Sequence, residues 1–197
     1  NIIPVQPSIE LLIIGSFVAV AGLIIYIKPI RTNSRLIQRM FLSFDRPEDR
    51  PNTLLWLTTQ TAVAYLIIIP IVIYFYKIGY EDLLLIPILV NGIGDGLAEP
   101  VGVRFGRLKY KTYALFSKIK YERTVEGSAC VFFTSVIVII SFQSGFTSSE
   151  FICALIVFPI VMTLAEAFAP HTWDTPFLFL FGYLTLYIVK IIPFVAH

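Results

Sequence analysis

Apolar residues along this chain come in long, nearly unbroken runs, not in the short alternations of a half-buried strand. Crossing the hydrocarbon of a bilayer as an α-helix takes about 20 such residues. Runs near that length predict six helical spans, at about 10–27, 54–76, 83–98, 127–143, 151–169 and 176–195. The third is short and interrupted by glycine, and it holds Asn91 and Asp95. No signal-peptide pattern precedes the first run. With no internal repeat and no low-complexity linker, the expected architecture is one membrane domain over residues 1–197. The fold class expected is an all-α integral membrane protein, a bundle of about six transmembrane helices with a basic loop at one face.

Composition narrows the function classes. The chain is 57% hydrophobic and 14% charged, with a mean hydropathy of +0.81, whereas soluble domains carry about a quarter charged residues. A soluble enzyme, a disordered tail and a disulfide scaffold are excluded, and a nucleic-acid partner is not expected. Cys130 and Cys153 both lie inside apolar runs and read as buried small hydrophobes. The net charge of +2 says less than where the charges sit. Loop 28–53 carries Lys28, Arg31, Arg35, Arg39, Arg46 and Arg50, and loop 99–126 carries Arg104, Arg107, Lys109, Lys111, Lys118, Lys120 and Arg123. The alternating loops are nearly bare: 77–82 has Lys77 and 144–150 has none. By the positive-inside rule the two basic loops, and with them 170–175, face the cytoplasm or its equivalent. Tyr26, Trp56, Tyr76, Tyr80 and Trp173 fall near span ends, as an interfacial aromatic belt would place them.

Ionisable groups at membrane depth are costly and point to function. Asp95 lies near the inner end of span three, four residues after Asn91 and so on one helical face with it. Glu99 would continue that face, although Pro100 disfavours helix at the residue before it. Glu166 lies near the inner end of span five, and Asp174 just before span six. The topology therefore gathers Asp95, Glu99, Glu166 and Asp174 at one membrane face beside the basic loop. Carboxylates facing Lys and Arg across a glycine-rich turn suit a Mg²⁺-bound polyphosphate, because Mg²⁺ prefers one or two carboxylates plus phosphate oxygens. Gly92, Gly94 and Gly96 let backbone approach closely. Each residue also has a plainer reading. Asp95 could hydrogen-bond between helices, Glu99 and Glu166 could reach interfacial water, and Asp174 or Thr175 could cap a helix that starts at Pro176. His171 could be structural, and the basic loop could set topology or touch anionic lipid.

Gly94-Asp95-Gly96-Leu97-Ala98, then Gly102 with Arg104-Phe105-Gly106, then Arg123-Thr124-Val125-Glu126-Gly127-Ser128, resembles the polyprenol kinase family, which includes dolichol, phytol and farnesol kinases. Glu166-Ala167 followed by Asp174 resembles its later acidic block. The resemblance spans about residues 83–180; it departs at Asp174-Thr175, where relatives usually carry Asp-Asn, and at Glu122-Arg123, where a more basic pair is usual. It implies a multi-pass kinase that transfers the γ-phosphate of a nucleotide, commonly CTP, to the hydroxyl of a lipid alcohol such as phytol, farnesol or dolichol. In a compatible mechanism Asp95 and Glu166 are the candidate Mg²⁺ ligands, and Arg104, Arg107, Lys109 and Arg123 hold phosphates. Gly94, Gly96, Thr124 and Gly127 belong to the nucleotide-binding motifs. Asp95, Glu126 and Asp174 are the candidate catalytic groups, Glu126 or Asp174 taking or orienting the alcohol proton. The nearest rival is a phosphatidate cytidylyltransferase-like enzyme making a CDP-activated lipid. A transporter that relays ions through Asp95 and Glu166 is a third reading, and broken helices are typical of that class.

Overall fold

The computed structural model describes residues 9–45, 50–113, 120–169 and 173–192. The backbone forms two compact units, Pro7–Val63 and Ala64–His197, the second also counting Asn1–Gln6. The unit Pro7–Val63 holds α1 (Ile9–Ile25), the short α2 (Lys28–Arg31), α3 (Arg35–Phe44) and the first turns of α4 (Thr53–Ile78). Segment 28–53, expected as a loop, is thus partly helical. Ser34 caps α3 by accepting the Ile37 N–H, and Asp45 ties its end to the start of α4 by accepting from Thr53 Oγ1 at 2.6 Å and Arg50 Nε at 2.8 Å.

The unit from Ala64 onward contains the remaining elements. After α4, a 3₁₀ turn at Glu81–Leu83 leads into α5 (Leu85–Leu89), a π-helical turn at Val90–Asp95, and α6 (Gly96–Phe105). Together they make one helical rod, Glu81–Phe105, longer than the expected 83–98. The helix runs on through Pro100, contrary to the boundary expected there. The π turn ends one turn upstream, and the carbonyl that the Pro100 ring crowds belongs to Gly96, which has no side chain. Next come β1 (Lys109–Tyr113) and β2 (Lys120–Thr124), an antiparallel pair that occupies much of the expected basic loop. Then follow α7 (Val125–Ser141), α8 (Ser148–Phe168) and α9 (Asp174–Ile191).

Packing in this unit is sequential: α6 on α7, α7 on α8, α8 on α9, with α5 against α9. Gly182 makes the last contact possible, since a Cβ there would lie 3.0 Å from both Met162 Sδ and Pro87 Cβ. Tyr183, buried beside it, donates its hydroxyl to Leu84 O at 2.7 Å. At the start of α8, Thr147 and Glu150 form a reciprocal capping box, and Glu150 also pairs with Lys190 near the end of α9 at 2.8 Å.

What faces outward is apolar. On α8 the exposed residues Ile152, Ile156, Ile160 and Leu164 recur every four positions, and Leu180, Leu184 and Ile188 do so on α9. Large exposed apolar stripes of this kind cannot be left in water. Four helices are long and apolar enough to cross a membrane: Thr53–Ile78, Glu81–Phe105, Ser148–Phe168 and Asp174–Ile191. Leu12–Ile25 and Val125–Ser141 are apolar but shorter. The chain is a predominantly helical membrane protein that carries one small β-hairpin among its described residues.

Candidate functional site

Three helix ends meet where β2 joins α7. Thr124 stops the strand and starts the helix, its side chain accepting from Gly127 N at 3.1 Å as an N-cap. The end of α6 lies so close that a Cβ on Gly102 would come within 2.5 Å of Thr124 Oγ1, and one on Gly127 within 2.7 Å of Ala98 O. These glycines serve close backbone approach, which places Asp95 and Arg123 in one neighbourhood.

Arg123 is the centre. Its Nη1 donates to Glu166 Oε1 from α8, and its Nη2 donates to Asp174 Oδ1 at the head of α9, at 3.3 Å. Glu166 is 2% exposed. Its other oxygen accepts from Ser128 Oγ at 3.2 Å, and Ser128 in turn lies 2.6 Å from the Tyr110 hydroxyl on β1. A serine has one proton; with that proton given to Glu166, Tyr110 must be the donor to Ser128. Burial, and behind it the Glu166 charge, hold the Tyr110 phenol above its usual pKa against the pull of Ser128 and Arg123, so it is a neutral donor at neutral pH. Burial also weighs against the Arg123 charge. The carboxylates Asp174, Glu166 and Asp95 outweigh that and raise its pKa. Asp95, Glu166 and Asp174, widely spaced in sequence, thus act on one guanidinium.

The hairpin sorts its own residues by face. In the register Tyr110↔Arg123 and Lys111↔Glu122, Tyr110, Thr112 and Arg123 lie on the face toward the helices. Lys109 lies on the other, bound to Glu122 at 2.7 Å and exposed. Lys109 is therefore not among the groups brought to Arg123. Glu126 is held aside too, its carboxylate accepting from Arg107 N at 2.8 Å and Leu108 N at 3.3 Å. It fastens the turn between α6 and β1. Arg104 and Arg107 are exposed at that turn, Arg104 over the Phe105 ring. Gly94 is packed against Val131 and Thr134 of α7, whereas Gly96 faces open space. Glu99 is exposed. Lys118 and residues 170–172, His171 among them, lie outside the described residues.

Sequence reasoning assigned no role to Ser128 or Tyr110. Ser128 follows Arg123-Thr124-Val125-Glu126-Gly127 directly, and at the second residue after Glu126 it falls on a different face of α7. Tyr110 is legible only once the hairpin register is known. Among the described residues no three His, Cys, Asp or Glu side chains converge to hold a metal unaided. The donors present suit a Mg²⁺ that arrives with phosphate oxygens, for which one or two carboxylates suffice. Glu166 is poorly placed for that role, since both of its oxygens are taken by Arg123 and Ser128. Asn91, one turn before Asp95, has a buried Oδ1 that accepts no hydrogen bond. Comparison with protein-family models, with curated proteins and with solved structures finds no match to this chain.

Proposed function

We propose that this chain is a multi-pass lipid-alcohol kinase of the polyprenol kinase type, crossing the membrane six times, with its site at the cytoplasmic or equivalent face. One observation carries the reading: Glu166 of α8 and Asp174 of α9 each bond Arg123 of the hairpin, and Asp95, within the rod Glu81–Phe105, adds a third carboxylate charge that acts on it. A structural ion pair needs one carboxylate. A guanidinium shared among three is suited to exchanging a carboxylate for a phosphate, whose geometry it matches equally well.

Phosphoryl transfer requires positioning and charge neutralisation above all. Arg123 would turn from Asp174, the longer of its two contacts, to the nucleotide phosphates, with Arg104 and Arg107 nearby at the end of α6. Mg²⁺, held by Asp95 and phosphate oxygens, would neutralise charge on the transferring group. Asp174, released from Arg123, takes the alcohol proton as the hydroxyl oxygen bonds to the γ-phosphorus and the nucleoside diphosphate leaves. Glu126 is the weaker candidate base because backbone amides already hold it. The isoprenoid tail remains among the exposed apolar helix faces, so no greasy substrate need enter water.

The test is incubation of purified protein with labelled CTP or ATP and a panel of phytol, farnesol, dolichol and diacylglycerol. The reading requires a phosphorylated lipid and release of nucleoside diphosphate. Release of pyrophosphate would identify a cytidylyltransferase instead, and no lipid product from any pair would overturn the proposal.

A further inference from the structure

We infer that α3 lies in the plane of the membrane surface and binds anionic phospholipid headgroups. At 10 residues, α3 is about 15 Å long, half of what crossing the hydrocarbon requires. Its residues divide by face with one exception, Leu42, which is 52% exposed on the side of the basic residues. Leu36, Ile37, Met40 and Phe41 fall on one side of the helix, and Arg35, Gln38 and Arg39 on the other. Part of the apolar side is already covered: Phe41 is buried, with the Arg31 guanidinium 3.6 Å from its ring centroid and Tyr26 edge-on at 5.7 Å. On the same side Leu36 is 69% exposed and Met40 43%. The helix is nonetheless well anchored, by the Ser34 cap at one end and by Asp45 to Thr53 at the other. An exposed apolar strip on an anchored helix calls for a covering.

Charge and connectivity name the occupant. Between Glu10 and Asp45 the sequence has no acidic residue, while Lys28, Arg31, Arg35 and Arg39 are all cationic. The partner must therefore be anionic above and apolar beneath. α1 precedes α3 and α4 follows it, and both expose large apolar residues, among them Ile13, Phe17 and Ile24 on α1 and Leu55 on α4. The bilayer that covers those helices is the apolar phase within reach of Leu36 and Met40. Arg35 and Arg39 then lay their stems along acyl chains and set their guanidinium groups at the phosphates, as basic residues of interfacial helices do. This binding would exist whatever reaction the other unit performs.

The test uses the full chain with Cys130 and Cys153 replaced by serine. Single cysteines at Leu36→Cys or Gln38→Cys carry an environment-sensitive fluorophore, and the protein is reconstituted into vesicles of phosphatidylcholine with one third phosphatidylglycerol. A lipid bearing a spin label high on its acyl chain should quench the probe at 36 and leave the probe at 38 little affected. Presented as trace spin-labelled phosphatidylglycerol or phosphatidylcholine, the anionic form should quench position 36 about threefold or more the better, given the attraction of each basic residue for an anionic surface. In R35Q/R39Q that ratio should fall to near one while quenching by phosphatidylcholine persists. Equal quenching at 36 and 38 would overturn the in-plane placement. A wild-type ratio near one, or a ratio unchanged in R35Q/R39Q, would overturn the headgroup site.

Discussion

Arg123→Ala should leave the Glu166 carboxylate in a nearly waterless position with only Ser128 to donate to it. Removing one partner of a fully buried ion pair costs about 3–5 kcal/mol, most of it the penalty on the charge left behind. The Arg123 side chain is 20% exposed and that of Asp174 16%, so water reaches part of this cluster and the expected loss is at the lower end, about 3 kcal/mol. Glu166→Gln in the same background removes the stranded charge while keeping the Ser128 hydrogen bond. The double variant should therefore be more stable than Arg123→Ala alone, with a coupling of about 2 kcal/mol between the two sites. Equilibrium unfolding of the four proteins by denaturing detergent in mixed micelles measures both numbers. Arg123→Lys should recover only part of the loss, since one ammonium cannot fork to carboxylates from α8 and α9 at once. Effects that add to within about 0.5 kcal/mol would show that the pair carries no mutual energy, and Arg123 would no longer be the hub of this end of the helices.

Asp95→Asn should lower lipid phosphorylation by two orders of magnitude or more, about 3 kcal/mol of lost electrostatic stabilisation, with the protein still folded and inserted; turnover within about threefold of wild type, a difference under 1 kcal/mol, would return Asp95 to a structural role. Gly127→Ala should destabilise by about 1–3 kcal/mol through overpacking against Ala98 O, whereas Gly96→Ala, which meets open space, should not; equal unfolding midpoints for the two would refute the close approach. The Thr53 hydroxyl, and to a lesser extent Arg50, hold Asp45 below the usual carboxylate pKa against the cost of burial. Its contribution is therefore complete above the unfolded value near ~4 and disappears as pH falls through the lower folded value. Asp45→Asn should abolish that acid-sensitive component at the α3–α4 junction, and an unchanged pH profile would argue against it. Cysteines placed at Lys111 and Ser148 should label from opposite compartments, and labelling of both from one side would remove the cytoplasmic face from the proposal.

Long apolar runs made the helices legible because a bilayer imposes a length on its spans and little else. The same cause hid their limits. Hydropathy ends where composition changes, but a helix ends where its backbone bonds find other partners. The third run illustrates this: its apolar character fades near Gly96, yet the helix continues to Phe105 through a π turn and Pro100. α3 was hidden for the opposite reason, because its average hydropathy is that of a loop and only the spacing of Leu36, Ile37, Met40 and Phe41 marks it as a helix face.

The site was legible as a set of charges and illegible as a geometry. Positive-inside counting could place Asp95, Glu166 and Asp174 at one face without saying which cation they share. That choice is made by the hairpin, whose alternation in Lys-Tyr-Lys-Thr-Tyr and Lys-Tyr-Glu-Arg-Thr was masked by the density of basic residues. A period of two sends adjacent residues to opposite faces, so Arg123 enters the helix ends while its neighbour Glu122 stays outside with Lys109. Basic residues that look equivalent in a charge count are thereby separated into one that meets buried carboxylates and others that meet solvent. Shifting the register by one residue would exchange the two sets, replacing Arg123 with Glu122 opposite Glu166 and setting like charges together. The pairing register of ten residues, more than the number of positive charges around them, determines which side chain meets the buried Glu166.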